Sequence, residues 1–160
     1  MKIAIISDIH DNIWNLKKAI ESINSNTEII AVINCGDICS PFIINELKNL
    51  VKKQYLVFSD SDIKNYRLVD GCREANIEFF KDFGELKVDK KKIGFTHEER
   101  VAKRLKGFDA VFYGHLHDFK IERDSDGTLL VCCGEIMGRK IPACYIIYDT
   151  KDGTVSKIDV

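Results

Sequence analysis

No stretch of this sequence approaches the ~20 consecutive apolar residues that a membrane-spanning helix needs, so no membrane span is expected. An excess of one charge is lacking too: 24 Lys and Arg stand against 25 Asp and Glu, for a formal net charge of −1. Basic residues gather in short clusters, Lys52-Lys53 and Lys90-Lys91-Lys92, and never in a sustained stripe. That balance provides no electrostatic footprint for a nucleic acid or an anionic membrane. The six cysteines, Cys35, Cys39, Cys72, Cys132, Cys133 and Cys144, lack paired Cys-x-x-Cys spacing, which argues against a structural zinc site. No signal-peptide pattern is present, because Met1-Lys2 leads straight into the short run Ile3-Ala4-Ile5-Ile6. A cytoplasmic protein with reduced thiols is the expectation. The abundance of Ile and Lys keeps disulfides open, since intracellular proteins of some thermophiles carry them. Internal repeats, low-complexity tracts and linkers are also missing.

What is there fits a globular chain, with 45% hydrophobic and 31% charged residues. A chain of 160 residues reads as one domain, 1–160, able to bury roughly two thirds of its unfolded surface. Ile3 to Ser7 is a continuous apolar strand. In the helix that follows, Ile13, Leu16, Ala19, Ile20 and Ile23 fall on one face. Ile29 to Asn34 is a second buried strand. Ser40 and Pro41 resemble an N-cap and first helical position, and Ile44, Leu47 and Val51 an inner stripe. Tyr55 to Phe58 is a short third strand. Cys72 to Phe80 is compatible with a helix. Leu86 to Val88 and Ile93 to Phe95 flank a Lys-rich turn as a hairpin, and Glu98 to Lys106 reads as a short helix. Ala110 to Tyr113 is another buried strand. After it the pattern is β only, with strands at Lys120–Arg123, Leu129–Cys133, Cys144–Tyr148 and Val155–Val160 between turns such as Asp126-Gly127 and Asp152-Gly153. The order is βαβαβ, then mostly antiparallel β, which suggests two packed sheets with helices outside.

The chemistry gathers just past the strand ends. Asp8 and His10 follow the first strand, Asp37 the second and Asp60 the third. His97 closes the hairpin, and His115 and His117 follow the strand ending at Tyr113. Ligands of open α/β sheets bind beyond the carboxyl ends of the strands. All four histidines of the chain fall in this set. Alternate residues of an extended segment point the same way, which puts His115 and His117 on one side. Seven Asp and His groups exceed what one tetrahedral ion takes and suit two divalent ions sharing a carboxylate, the device of phosphate-ester hydrolysis.

The motifs Asp8-Ile9-His10, Gly36-Asp37, Thr96-His97 and Gly114-His115-Leu116-His117, in this order, resemble those of the calcineurin-like metallophosphoesterases. The resemblance covers nearly the whole chain and points to the small archaeal and bacterial phosphodiesterases without a cap domain. It implies an α/β fold, a four-layer α/β/β/α sandwich of two packed mixed β-sheets flanked by helices. It implies one metal on Asp8, His10, Asp37 and His117, and a second on Asp37 as the bridge, Asp60, His97 and His115. Mn²⁺ or Ni²⁺ is favoured, with Zn²⁺ or Fe²⁺ as alternatives. The activity implied is phosphodiester hydrolysis by a metal-bound hydroxide, on a small phosphodiester or phosphate ester.

Three departures stand out. Ser59-Asp60-Ser61-Asp62 replaces Gly-Asn-x-Asp, so an Asn ligand becomes Asp60. That lowers the net charge of two ions plus carboxylates from about +2 to about +1. Thr96-His97-Glu98-Glu99 replaces Thr-His-Gly-His, which removes a substrate-side histidine. Cys132-Cys133-Gly134-Glu135 replaces Asn-Pro-Gly-Ser; core filling and a thiolate near the metals are both readings. Ser61 also stands where larger relatives carry a catalytic histidine. No side-chain general acid is identified, and esters with acidic leaving groups are expected to react best. These departures motivate the alternative of a weak or inactive member serving as a protein-binding scaffold, as the family's retromer subunit does. His115-Leu116-His117-Asp118 also resembles the His-x-His-x-Asp of metallo-β-lactamase-like hydrolases, but Phe119 stands where their next histidine belongs. Oligomeric state is open; a homo-oligomer built on sheet edges or exposed helices is compatible with the sequence.

Overall fold

The structure, a computed structural model, describes residues 1–63 and 65–160. Two mixed sheets form the body. The first runs β11 (Val155–Asp159), β10 (Cys144–Asp149), β1 (Lys2–Ile6), β2 (Ile29–Asn34), β3 (Lys53–Val57), β4 (Glu78–Phe80). The second runs β5 (Phe83–Val88), β6 (Lys91–Thr96), β7 (Ala110–Tyr113), β9 (Leu129–Cys133), β8 (Phe119–Arg123). Strands β1 to β4 are parallel, so each pair needs a crossover. These contain α1 (Ile13–Ser25), α2 (Phe42–Leu47), and the pair α3 (Asp60–Ile63) and α4 (Tyr66–Glu74). Helix α5 (Glu99–Ala102) joins β6 to β7.

The two-residue period of the strands sorts the core into layers. Ile3 and Ile5 of β1, with Ile33 of β2, pack against Phe95, Phe112 and Val131 of the opposite sheet. Their neighbours Ala4, Ile6 and Val32 face Leu16, Ala19, Ile20 and Ile23 of α1 and Ile44 and Leu47 of α2. On the far side Val111, Tyr113, Leu130 and Cys132 pack with Ala102 of α5. Three apolar seams between four layers make an α/β/β/α sandwich, as expected.

Several local readings change. Pro41, not Ser40, sits at the N-cap of α2, which makes no side-chain cap bond. The Ser40 hydroxyl instead donates to Asp11 Oδ2 (2.8 Å). Helix α2 stops at Leu47, so Leu50 is buried while Val51 is 76% exposed. The Cys72–Phe80 segment is the end of α4 followed by β4; Leu68 and Cys72 are the buried side chains of α4. The second sheet is less antiparallel than the sequence suggests, because β7 pairs parallel with both β6 and β9. Strand β8 lies outside β9 at the sheet edge, which lets β9 return beside β7 in the same direction. Helix α5 spans Glu99–Ala102 alone. All six cysteines are free. No described helix is long and apolar enough to cross a membrane.

Asp62 holds the ends of β2 and β3 together. Its fully buried carboxylate accepts from the backbone N–H of Ile38 and Cys39 (both 2.9 Å) and of Ser59 (3.1 Å). Losing the acceptor strands up to three donors, each worth ~1–3 kcal/mol when left unsatisfied in a buried setting. Asp62→Ala should lower the unfolding free energy by about 2–4 kcal/mol in urea melts, with Asp62→Asn between it and wild type. A loss under about 0.5 kcal/mol would show that the carboxylate does not organise these loops.

Candidate metal centre

The strand ends are stitched to one another by the backbone. Asp8 N–H donates to Gly36 O, and the N–H groups of Ile9 and His10 both donate to Asp37 O, all at 3.0 Å. Gly114 N–H donates to His97 O (3.1 Å), while Ile136 and Met137 donate to Ser7 O and Asp8 O (3.0 Å each). Loops from both sheets therefore meet in one place. The turns are tight enough that Asp8, His10, Asp37, His115 and His117 all have positive φ, between 42° and 71°. Such conformations are uncommon for residues other than glycine and cluster at functional sites. Two glycines make the approach feasible. A Cβ on Gly114 would lie 2.0 Å from Ser7 Oγ and 2.5 Å from Asp8 Oδ2, and one on Gly36 2.9 Å from His97 Nδ1.

Six of the seven residues singled out in the sequence converge. Asp8, His10, Asp37 and His117 bring ligand atoms within 4.8 Å of one another, and so do Asp37, His97 and His115. Asp37 belongs to both groups. Its Oδ2 lies 3.1 Å from His10 Nε2 and 3.5 Å from His97 Nε2. Asp8 Oδ1 is 3.4 Å from His117 Nε2 and 4.0 Å from His10 Nε2. Asp60 stands outside both groups. It opens α3 as an exposed residue and lines, with His97, a neighbouring pocket of about 230 Å³.

Three of the four imidazoles have a partner on the nitrogen that faces away from the donor groups. His97 Nδ1–H donates to the Cys35 carbonyl (2.8 Å) and His117 Nδ1–H to Glu135 Oε2 (2.5 Å). Cys39 Sγ lies 3.5 Å from His10 Nδ1. In His97 and His117 this leaves the Nε2 lone pair facing inward, the tautomer a metal ligand requires. His115 approaches through Nδ1, 3.2 Å from His97 Nε2. Asp8 is held by the Ser7 hydroxyl (2.5 Å) and by His115 N–H (3.1 Å to each oxygen).

Of the supporting groups, Glu135 was named in the sequence but had no role there; Ser7 and Cys35 had none either. Glu135 is fully buried, and its Oε1 accepts from the backbone of Lys140 and Ile141. The signal was present: an acid two residues after the apolar strand β9, beside a glycine, in a stretch otherwise buried. The adjoining Cys132 and Cys133 fill the core on opposite faces of β9, and burial pushes the Cys132 thiol up to about 12. Neither is a thiolate at the site.

The electrostatics call for a cation. Asp8, Asp37 and Glu135 are buried carboxylates, and among the described residues no Lys or Arg pairs with them. Burial raises the Asp8 carboxyl above its ordinary value, against the pull of Ser7, His97 and His117. Burial would raise Asp37 too, but the His10 ring 3.1 Å away and the nearby His97 hold it well below the carboxylate range. The Asp37 contact in turn raises His10. His10 Nε2 is buried without a satisfied hydrogen bond. An orphaned imidazole nitrogen beside uncompensated carboxylates is what a divalent cation would satisfy, and the mixed N/O donor set suits Mn, Fe, Ni or Zn.

Known proteins share this fold. Residues 1–153 match the calcineurin-like phosphoesterase superfamily domain. A phosphodiesterase of Methanocaldococcus jannaschii is 32% identical over 157 residues, covering 92% of each chain. The solved structure of an archaeal phosphodiesterase superposes with a TM-score of 0.88 at 32% identity over all of both chains. Vps29 of Chaetomium thermophilum, at 14% identity, shares the fold with a TM-score of 0.70, over 100% of this chain and 95% of its own. The fold, the convergent Asp and His groups and these likenesses together show that the chain belongs to the calcineurin-like phosphoesterase superfamily.

Proposed function

We propose that the chain is a phosphodiesterase that works with two divalent metal ions. The observation that carries this is Asp37, whose carboxylate is common to two groups of Asp and His donors. One ion would be held by Asp8, His10, Asp37 and His117, the other by Asp37, His97 and His115. Asp60, in the pocket beside His97, is the seventh candidate ligand. When bound, such ions supply Lewis-acid neutralisation of ester oxygens and an acidified water as the nucleophile. The donor set favours Mn²⁺ or Ni²⁺ and accommodates Zn²⁺ or Fe²⁺.

The side chains supply orientation. The Cys35 carbonyl and Glu135 fix the rings of His97 and His117, Ser7 and His115 N–H fix Asp8, and the loops joined by Asp62 fix Asp37. None of these groups is placed to protonate a departing alkoxide, so diesters with acidic alcohols should react fastest. The similarity to archaeal phosphodiesterases at 32% identity supports diesters over other phosphate compounds.

Hydrolysis of bis-p-nitrophenyl phosphate after loading with Mn²⁺ or Ni²⁺ tests the proposal. Wild type should turn over, chelation should abolish the rate, and Asp37→Ala should lose at least about 100-fold. Equal rates in wild type and Asp37→Ala would overturn it. Two bound ions with no turnover would favour the scaffold reading instead. For Glu135→Gln, the expected outcome is a roughly 10–100-fold weaker metal affinity by chelator competition, from the loss of the anionic partner of His117. An unchanged affinity would show that Glu135 anchors only its own loop.

A further inference from the structure

The pocket shared by Asp60 and His97 lies at the seam between the two sheets. Strand β4 ends the first sheet and β5 begins the second, and Lys81-Asp82 is the two-residue link between them. The link is pinned where Phe58 N–H donates to Phe80 O (3.0 Å) and the Thr96 hydroxyl to Asp82 O (2.8 Å). These bonds set Lys81 and Asp82 beside the end of β6, which His97 follows. Glu98 and Arg100 also line the pocket, with Phe58 and Val101 as its apolar residues. The pocket's volume of about 230 Å³ is below the ~300 Å³ at which small-molecule sites usually begin, so its occupant is a fragment and not a whole ligand.

We infer that this pocket seats the alcohol substituent of the phosphodiester, and that the substituent is uncharged and hydroxyl-bearing; the inference rests on the phosphodiesterase reading above. Position supports the first part, because His97 belongs both to the pocket and to the donor groups that meet at Asp37. The lining supports the second. Among the described residues, Lys81 and Asp82 make no ion pair and no side-chain hydrogen bond, whereas Arg100 Nε lies 3.5 Å from Glu98 Oε2. A charged substituent of either sign would meet like charge in this mixed lining of three carboxylates, Asp60, Asp82 and Glu98, and two cations, Lys81 and Arg100. An alkyl group would remove water from charged side chains and return no hydrogen bond. A hydroxyl suits both signs, since it donates to a carboxylate and accepts from an ammonium.

Three p-nitrophenyl phosphodiesters test this on the metal-loaded full chain: one with ethyl, one with glyceryl, and one with glyceryl carrying a further phosphate as the second substituent. The glyceryl ester should exceed the ethyl ester in kcat/KM by about tenfold, mostly through KM, the effect of one net hydrogen bond to a charged group. The ester with the added phosphate should fall below both. Lys81→Ala and Asp82→Asn should each bring the glyceryl-to-ethyl ratio toward one. Calorimetric titration with ethyl glyceryl phosphate and with diethyl phosphate gives a readout independent of turnover, and the glyceryl ligand should bind tighter. Equal kcat/KM for glyceryl and ethyl esters, or ratios unmoved by both variants, would overturn the inference. If no diester turns over, the phosphodiesterase reading fails, and equal calorimetric affinities would then overturn the pocket assignment separately.

Discussion

Three buried carboxylates with no permanent countercharge among the described residues are the constraint around which this molecule is built. Asp8, Asp37 and Glu135 sit at the junction of the two sheets, faced by imidazoles and backbone amides instead of Lys or Arg. Burying such charges costs several kcal/mol each unless they are paired or bind a cation. The fold meets part of that cost with fixed donors: the Ser7 hydroxyl, the amides of His115 and Ile141, and the ring of His117. The remainder, marked by the unsatisfied His10 Nε2, is left for an ion to supply.

That arrangement explains the backbone around it. Side chains can converge from strands of two sheets if the loops double back sharply, and five of the seven candidate ligands have positive φ. Gly36 and Gly114 occur where a Cβ would strike His97 or Asp8. The strain is held in place from outside the donor set. Asp62 gathers the amides of two loops, and inter-loop backbone bonds tie the β1 turn to those after β2 and β9. Rigid loops carrying rigid rings are what a preorganised metal site needs.

Much of this was legible in the sequence. The continuous apolar runs Ile3–Ile6 and Ala110–Tyr113 are buried on both faces and read as inner strands; the 3.6-residue stripe of α1 is equally plain. The Asp and His residues stood out because they follow strand after strand. Tertiary context decided the rest. Ser40 and Pro41 carry good capping chemistry, but Asp11 captures the Ser40 hydroxyl and the helix starts later. The segment before β4 has a helical composition, yet its last residues extend the parallel sheet beside β3. Asp60 follows its strand as the other candidates do, but the chain turns at once into α3 and its carboxylate faces the pocket beside His97. Glu135 was invisible as a partner of His117 because the two are 18 residues apart and meet only when β8 folds back along β9.

The central claim is that Asp37 is shared by two cations. Anomalous diffraction from manganese-soaked crystals tests it most directly. The account predicts two peaks roughly 3.5–4 Å apart, one on either side of the Asp37 carboxylate, as in two-metal sites. A single peak, or peaks that do not include Asp37, would contradict it.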